Sequence, residues 1–423
     1  MARIEPFVGI HYNPAVVEDV SLVVCPPYDI ISPKKQEDCY QKHSYNIIRL
    51  ILGKDFGADS EKDNKYTRAA GYLQEWLRRG ILTQDPKPSF YFYEQGFIQD
   101  GKPRMRLGVL TLMRLDEEGQ KTTVYPHEHT HKAPKEDRLS LIKSVEANLS
   151  PIFTVYSDPQ SALKKLFREH VAVNKPLFDI KEQDEEGQTH KLWPVSDEGL
   201  VNKVRDLLSE KELFIADGHH RYEVARMFRE YKRSHDAARF KDSYNYIMSY
   251  VTPLEDEGLC ILPTHRLVKN AAFSLDVFSS CFDVKEMASQ EDLVAAMKAR
   301  EDEVGVFGLY KHHAFYLLKL SEKRECNRLI QEGPKEYKNL DVVILHKVVF
   351  DHLCKVPLED ISYEVNLSSA VSQVDSGAFG AVFVLNPTKM EQIRSIALGG
   401  EVMPQKSTYF YPKLLSGLVI NAL

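Results

Sequence analysis

Apolar and polar positions change texture along the chain. Up to about residue 88 the pattern is mixed. Leu22, Val23 and Val24 form a short apolar run stopped by Pro26-Pro27, which predicts a buried strand. Between Glu61 and Arg79, the residues Tyr66, Ala69, Ala70, Leu73 and Leu77 share one helical stripe. Gly80 stands where a C-cap belongs, so this stretch predicts an amphipathic helix. From Phe90 strand-like patterning takes over. FYFYEQGFI, an Asp100-Gly101 turn and RMRLGVLTLMRL predict a β-hairpin, followed by a second turn, DEEGQ, at 116–120. Residues 137–149 predict a helix with Asp137 as N-cap, and PIFTVYS a strand. LFDIKEQDEEGQTHKLWPV predicts another hairpin with its tip at DEEGQ. A helix over 196–210, a buried strand at LFIAD (213–217) and a helix starting directly at GHHRYEVARMFREYKRSH follow. YNYIMSYVTP and LCILPTHRLV predict further strands, and after about residue 270 short helices and strands alternate. The fold class expected is α+β, in three parts: a mixed segment over 1–88, a core over 89–268, and an α+β region over 269–423 that ends in an ordered tail, MPQKSTYFYPKLLSGLVI.

Composition narrows the classes. The chain has 423 residues, enough for two or three domains, and 55 Lys+Arg against 61 Asp+Glu give 55 − 61 = −6. That balance argues against a general nucleic-acid binder, which needs a basic footprint. No apolar run reaches membrane-spanning length, and MARIEPFVGIHYNP has no charged start followed by an apolar stretch. The six Cys are scattered without a CxxC, which suits a reducing cytoplasm. No P-loop, GxGxxG, kinase HRD/DFG set or GxSxG elbow is present, so Walker-type, Rossmann and α/β-hydrolase chemistry are not expected.

The chemistry-bearing residues cluster. Asp217-Gly218-His219-His220-Arg221 closes an apolar strand and opens a helix. Backbone N–H groups and the positive end of the helix dipole converge at such a junction, which makes it an anion site. Gly218 allows the tight turn, and the two His and Arg221 offer donors to phosphate oxygens. Asp217 is suited to hold Mg²⁺ or to orient a His; the plain alternative is a capped helix with packed His. Tyr125-Pro126-His127-Glu128-His129-Thr130-His131 is the second cluster. In an extended chain His127, His129 and His131 face one way, so a transition-metal site is one reading. The other makes Glu128 a general base for a hydroxyl, with the His contacting phosphate. Lys132, Lys135 and Arg138 downstream favour phosphate over a bare cation. Cys25-Pro26-Pro27-Tyr28-Asp29 is a rigid turn that can aim Tyr28 and Asp29 at a pocket, with Asn46 and Arg49 a short way on. Near the C-terminus, Lys406 with Ser407 and Thr408 forms a third phosphate-compatible group.

CPPYDIIS, YPHEHTHKAPKEDRL, SPIF, ADGHHRYEVA, ILPTHRL and MPQKSTYFYPKLLSGLV together resemble the microbial family known as domain of unknown function 1015. These motifs run in order through nearly the whole chain. The strand-DGHHR-helix junction is also similar to the ParB/sulfiredoxin-like superfamily, whose ParB members carry Gly-Glu-Arg-Arg at this turn against nucleotide phosphates. An Asp-Gly-His-His-Arg form occurs in the free-serine kinases of that superfamily, which phosphorylate L-serine with ADP or ATP and Mg²⁺ and use an upstream glutamate as base. The resemblance therefore implies a ParB/sulfiredoxin-like core with a mixed sheet, elaborated at both ends. It implies nucleotide and amino-acid partners, with Glu128 as base, and with Asp217, Gly218, His219, His220 and Arg221 at the phosphates. His220 stands with Glu128 as catalytic, and Asp217 is the metal residue. His127, His129 and Lys406 join the phosphate set; Tyr28, Asp29, Arg49, Ser407 and Thr408 are assigned to substrate. The 217 − 128 = 89 residues from Glu128 to Asp217 exceed the spacing expected of those kinases, and the hairpin and helix between them read as an insertion. A phosphoserine or other phosphoester hydrolase, a nucleotide-binding regulator without turnover, and a metallohydrolase on the three His are the alternatives. A cytoplasmic location, no membrane or nucleic-acid partner and a homodimer complete the expectations.

Overall fold

The structure is a computed structural model of the full chain and describes residues 3–117, 119, 121–128, 130, 132–182, 187–209, 211–321 and 329–423. His129, His131 and most of the tip of the second expected hairpin lie outside the described residues. The chain forms two units. Unit 1 comprises Met1–Tyr125, Thr130–Cys260 and Pro412–Leu423; unit 2 comprises Pro126–His129 and Ile261–Tyr411.

The sheet of unit 1 is built from β1 (Ile4–Glu5), β2 (Phe90–Gln99), β3 (Lys102–Arg114), β4 (Val124–Tyr125), β5 (Ile152–Tyr156), β6 (Phe178–Lys181), β7 (Thr189–Val195), β8 (Leu213–Asp217) and β9 (Tyr246–Pro253). The strand order is β4-β8-β5-β9-β3-β2-β7-β6, with β1 added on β3. The β8–β4 and β9–β5 pairs are parallel and the others antiparallel, so the sheet is mixed and the class is α+β. Asp100 (φ 51°) and Gly101 (φ 70°) both take positive φ between β2 and β3, as a two-residue hairpin turn with the twist of its strands requires. Every residue of β5 and β9 is buried, which explains their near-continuous apolar runs.

Helices α1 (Pro33–Lys42), α2 (Lys65–Arg78), α3 (Lys132–Val145), α4 (Ala162–Val171), α5 (Glu198–Leu208) and α6 (His219–His235) belong to the same unit. Helix α2 begins with a capping box between Asn64 and Thr67, and Gly80 (φ 69°) follows its end. Ile142 of α3 packs with Val224 and Phe228 of α6, Tyr244 and Leu423.

Two local expectations are corrected. Residues 22–24 are not a strand: Val20–Leu22 is a 3₁₀ turn whose N-cap, Asp19, accepts the Ser21 N–H, so a local side-chain bond outcompetes the apolar run. Asp137 is not an N-cap, because α3 starts at Lys132 and carries it in its second turn. Its carboxylate instead accepts from Tyr66 (2.8 Å) and pairs with Lys65 (3.2 Å) and Arg138. The helix ends at Val145 because Glu146 turns left-handed (φ 46°).

Unit 2 holds a second, antiparallel sheet of β10 (His265–Val268), β11 (Phe282–Met287), β12 (Val306–Lys311), β13 (Ala314–Leu320), β14 (Ile361–Glu364) and β15 (Ala381–Val384), ordered β11-β13-β12-β15-β10-β14. Helices α7 (Gln290–Lys298) and α8 (Leu367–Asp375) bury Leu293, Met297 and Ala370 against it, and α9 (Met390–Leu398) leads toward the 403–408 segment. No helix among the described residues is long and apolar enough to cross a membrane.

Candidate functional site

In unit 1 the site grows from the end of β8. Leu213 to Ala216 are buried, and the register of β8 against β5 shifts between Ile215 and Asp217. Such an irregularity re-aims the side chain that follows it. Gly218 then takes φ 93° and ψ 27° as the N-cap, and α6 starts at His219. A Cβ on Gly218 would sit 3.0 Å from Ile152 Cγ2 and 3.1 Å from Arg221 Cζ, so both backbone angle and space require glycine. His219, His220 and Arg221 thus occupy the first turn of a 17-residue helix, at the positive end of its dipole.

Asp217 organises the cations around this turn. Its Oδ2 accepts from Arg221 Nη2 at 2.7 Å and its Oδ1 from Lys413 Nζ at 2.5 Å. All three side chains are mostly buried. Arg221 also donates to the carbonyl of Pro151, and the Lys413 carbonyl accepts from Gln95 (3.0 Å). One carboxylate thus holds two cations beside the positive end of the α6 dipole. Both Asp217 oxygens are engaged by cations, and the carboxylate thereby positions Arg221 and Lys413. Among the described residues no group of three or more His, Cys, Asp or Glu is arranged to hold a metal.

Arg221 faces a cavity of about 70 Å³ whose walls include Tyr28, Arg138, Ser150 and the apolar Leu141, Val224 and Ile247. The first CPPYD segment and the DGHHR junction therefore share one pocket. Tyr28 lies in a 3₁₀ turn entered from Pro27, with the Arg138 guanidinium 4.1 Å from its ring centre. Burial, and then Asp29, push the Tyr28 phenol up to about 12 against the pull of Arg221 and Arg138, so it is a neutral donor at physiological pH. Asp29 is exposed beside it. Arg49 does not line this pocket: its guanidinium lies 4.3 Å from the Tyr40 ring centre and donates to the Tyr40 carbonyl.

The second group lies in unit 2. The His127–Glu128 segment pairs with the Met403 strand, the Met403 N–H donating to the His127 carbonyl at 2.7 Å. Glu128 Oε1 accepts the Lys406 N–H at 2.5 Å, with Lys406 held at φ 55°. A left-handed non-glycine residue persists only where its surroundings over-determine it. Buried His127 meets Thr408 through Nε2···Oγ1 at 3.2 Å. The Ser407 hydroxyl donates to the Pro404 carbonyl, and the Ser407 carbonyl accepts from Thr388. Four residues singled out near the C-terminus and at the PHE segment are thus brought together across some 280 residues of chain.

Sequence reasoning missed the charge at the centre of this group. Arg266 on β10 is buried, donates to the Thr264 and Lys406 carbonyls and lies 5.3 Å from the Tyr363 ring centre. Burial lowers it to about 10, while Tyr363 and Glu128 oppose the shift. His346 is pushed down to about 3 and His265 to about 4, in each case by burial and then by Arg266, so both rings are neutral. The available signal was an arginine inside an apolar strand, LPTHRLV. Lys413 was missed as well, because its partner Asp217 lies 196 residues away in sequence.

No curated protein sequence matches the chain. Among solved structures, the fold is similar to a free serine kinase variant in complex with AMP (12% identity, 68% of this chain and 84% of that one, TM-score 0.36). It is also similar to a conserved hypothetical protein from Pyrococcus furiosus (13%, 71% and 92%, TM-score 0.35) and to SbnI from Staphylococcus aureus (12%, 73% and 85%, TM-score 0.35). The family model described as "Protein of unknown function (DUF1015)" matches residues 4–343, the stretch that carries the CPPYD, PHEHTH, DGHHR and PTHRL segments, and the chain belongs to that family.

Proposed function

We propose that the protein is a small-molecule kinase that transfers a phosphoryl group from ATP or ADP to the hydroxyl of free L-serine or a related hydroxy amino acid. The observation that carries this reading is the DGHHR junction: a glycine-opened helix N-terminus with Arg221 and Lys413 fixed by one carboxylate, an arrangement suited to phosphate oxygens. Phosphoryl transfer asks mainly for positioning and charge stabilisation, so fixed cations matter more than a nucleophile on the protein. In this reading Arg221, Lys413, His219, His220 and the first turn of α6 hold the nucleotide phosphates. Asp217 keeps the two cations in place. Tyr28 and Arg138 supply the neutral and cationic donors of the adjoining cavity. Glu128 is assigned as the base for the acceptor hydroxyl, following the resemblance to the free-serine kinases, and the Lys406 N–H orients its carboxylate. Mg²⁺ bound with the nucleotide would offset phosphate charge, and Asp217 is the residue of the chain that would hold it.

The test is a product assay. The purified full-length chain is incubated with ATP or ADP, Mg²⁺ and L-serine, and O-phosphoserine is sought by mass spectrometry. The proposal expects O-phosphoserine, or the phosphate ester of a related hydroxy amino acid. Failure with every hydroxy amino acid and both nucleotides overturns it. Phosphate released from phosphoserine without nucleotide would point to a hydrolase, and nucleotide binding without turnover to a regulator.

A further inference from the structure

Unit 1 also contains a pair of thiols that the proposed chemistry does not use. Cys25 opens the CPPYD turn and is tied by a two-way backbone bridge to Ser416. Cys39 is the buried residue of helix α1. Both are reduced and almost fully shielded, yet both line a cavity of about 410 Å³ together with Lys35, Lys42, Asp38 and Glu182. Lys35 and Lys42 stand four residues before and three residues after Cys39, so they flank it on one face of α1. Cys25 reaches this cavity from the turn and Cys39 from α1, so the two thiols and the two lysines share one space. A thiol pair beside two cations and open to a cavity differs from the ordinary buried cysteine, which has neither charge support nor access.

We propose that Cys25 and Cys39 form a dithiol–disulfide couple that reacts with hydrogen peroxide or a small hydroperoxide, with Cys39 as the attacking sulfur and Cys25 as the resolving one. The inference stands apart from the kinase reading. In the first step the Cys39 thiolate attacks one peroxide oxygen. The O–O bond breaks, a sulfenic acid forms, and the departing hydroxide takes up a proton as water. In the second step the Cys25 sulfur attacks the sulfenic sulfur, its thiol proton leaves with the hydroxyl as a second water, and the S–S bond forms. The dithiol loses two electrons in total and the peroxide gains them.

The two thiols have opposite acidities, as this division of labour requires. Hydrogen bonding from Cys25, followed by the charges of Lys35 and Lys42, lowers Cys39 to about 7 against the cost of burial. Cys25 is raised well above the usual thiol value by burial and by Cys39. Cys260 and Cys354 are both raised by burial and serve as internal controls.

The experiment treats the reduced full-length protein with hydrogen peroxide, blocks remaining thiols with N-ethylmaleimide and maps peptides without reduction. The expected result is a Cys25–Cys39 linked peptide, with Cys260 and Cys354 still alkylated. In C25S the sulfenic acid persists on Cys39 and is labelled by dimedone; in C39S, Cys25 stays reduced. A second measurement needs no variant: the iodoacetamide rate of Cys39 in the native protein should reach half-maximum near pH 7 and exceed that of Cys260 about tenfold at neutral pH. The proposal is overturned if no linked peptide forms, if Cys39 passes to sulfinic acid without Cys25 joining it, or if its alkylation follows an ordinary free thiol at about 8.5.

Discussion

Gly218→Ala is the perturbation that most sharply probes the junction. Two costs add. At φ 93° and ψ 27° the residue is beyond the centre of the left-handed region, where a Cβ costs roughly 1–2 kcal/mol. The new Cβ also meets Ile152 Cγ2 at 3.0 Å and Arg221 Cζ at 3.1 Å. Relieving such crowding in packed surroundings costs about another 1–2 kcal/mol. Urea unfolding should therefore show a loss of about 2–4 kcal/mol for G218A by this sum. Gly71 offers the control, since it lies inside α2 with open space where its Cβ would be, and G71A should stabilise by roughly 0.5–1 kcal/mol. The second effect of G218A is local: the Arg221 guanidinium must shift to make room, so nucleotide affinity should fall while G71A leaves it unchanged. A loss of less than about 1 kcal/mol would refute the strained-turn argument, because the left-handed term alone reaches that value.

Other consequences follow from the same contacts. E128Q keeps an acceptor for the Lys406 N–H and so keeps the fold, while steady-state transfer to serine should drop about 10²–10⁴-fold if Glu128 is the base. R266M leaves the buried Thr264 and Lys406 carbonyls without their donor and should destabilise by about 2–4 kcal/mol in urea titrations. His265 and His346 titrate lower in the fold than in the unfolded chain, so their contribution is full above the unfolded value of 6.5 and is lost as pH falls toward about 4 and about 3. Asp341 has the opposite sign: burial raises it to about 6, so its contribution is present below the unfolded value and is lost as pH rises through 6. Stability followed by urea unfolding between pH 6 and 4 should therefore decline with acid in the wild type. H346Q should make that slope shallower by up to about 1.4 kcal/mol per pH unit, and an unchanged slope would show that His346 is not buried neutral.

Where a feature depends on neighbours in sequence, the chain displays it openly. The Asp100-Gly101 hairpin, the α2 stripe with Gly80 behind it, and the strand-glycine-helix junction at 213–235 all appear in the structure as the local pattern predicts. Competition between local signals hides others. Asp137 has the residue type of an N-cap, but its carboxylate is drawn to Tyr66, Lys65 and Arg138, and the helix starts five residues earlier. Val23 and Val24 are as buried as a strand would make them, yet the Asp19 turn sets their backbone. Partners far apart in sequence are the least legible. Nothing near Asp217 announces Lys413, and nothing near Glu128 announces the Lys406 amide or the buried charge of Arg266. Each candidate group is only half visible: the motifs display the acids, the His and Arg221, while Lys413 and Arg266 come from distant chain.

The central claim is that the DGHHR junction holds nucleotide phosphates, and calorimetric titration of ATP and ADP into the wild type and into R221Q tests it most directly. The account predicts binding to the wild type and a loss of at least about tenfold in R221Q, the 1.4 kcal/mol or more expected of a charge-assisted contact. Circular dichroism should show R221Q still folded. Absence of binding to the wild type, or equal affinity in a folded R221Q, would contradict it.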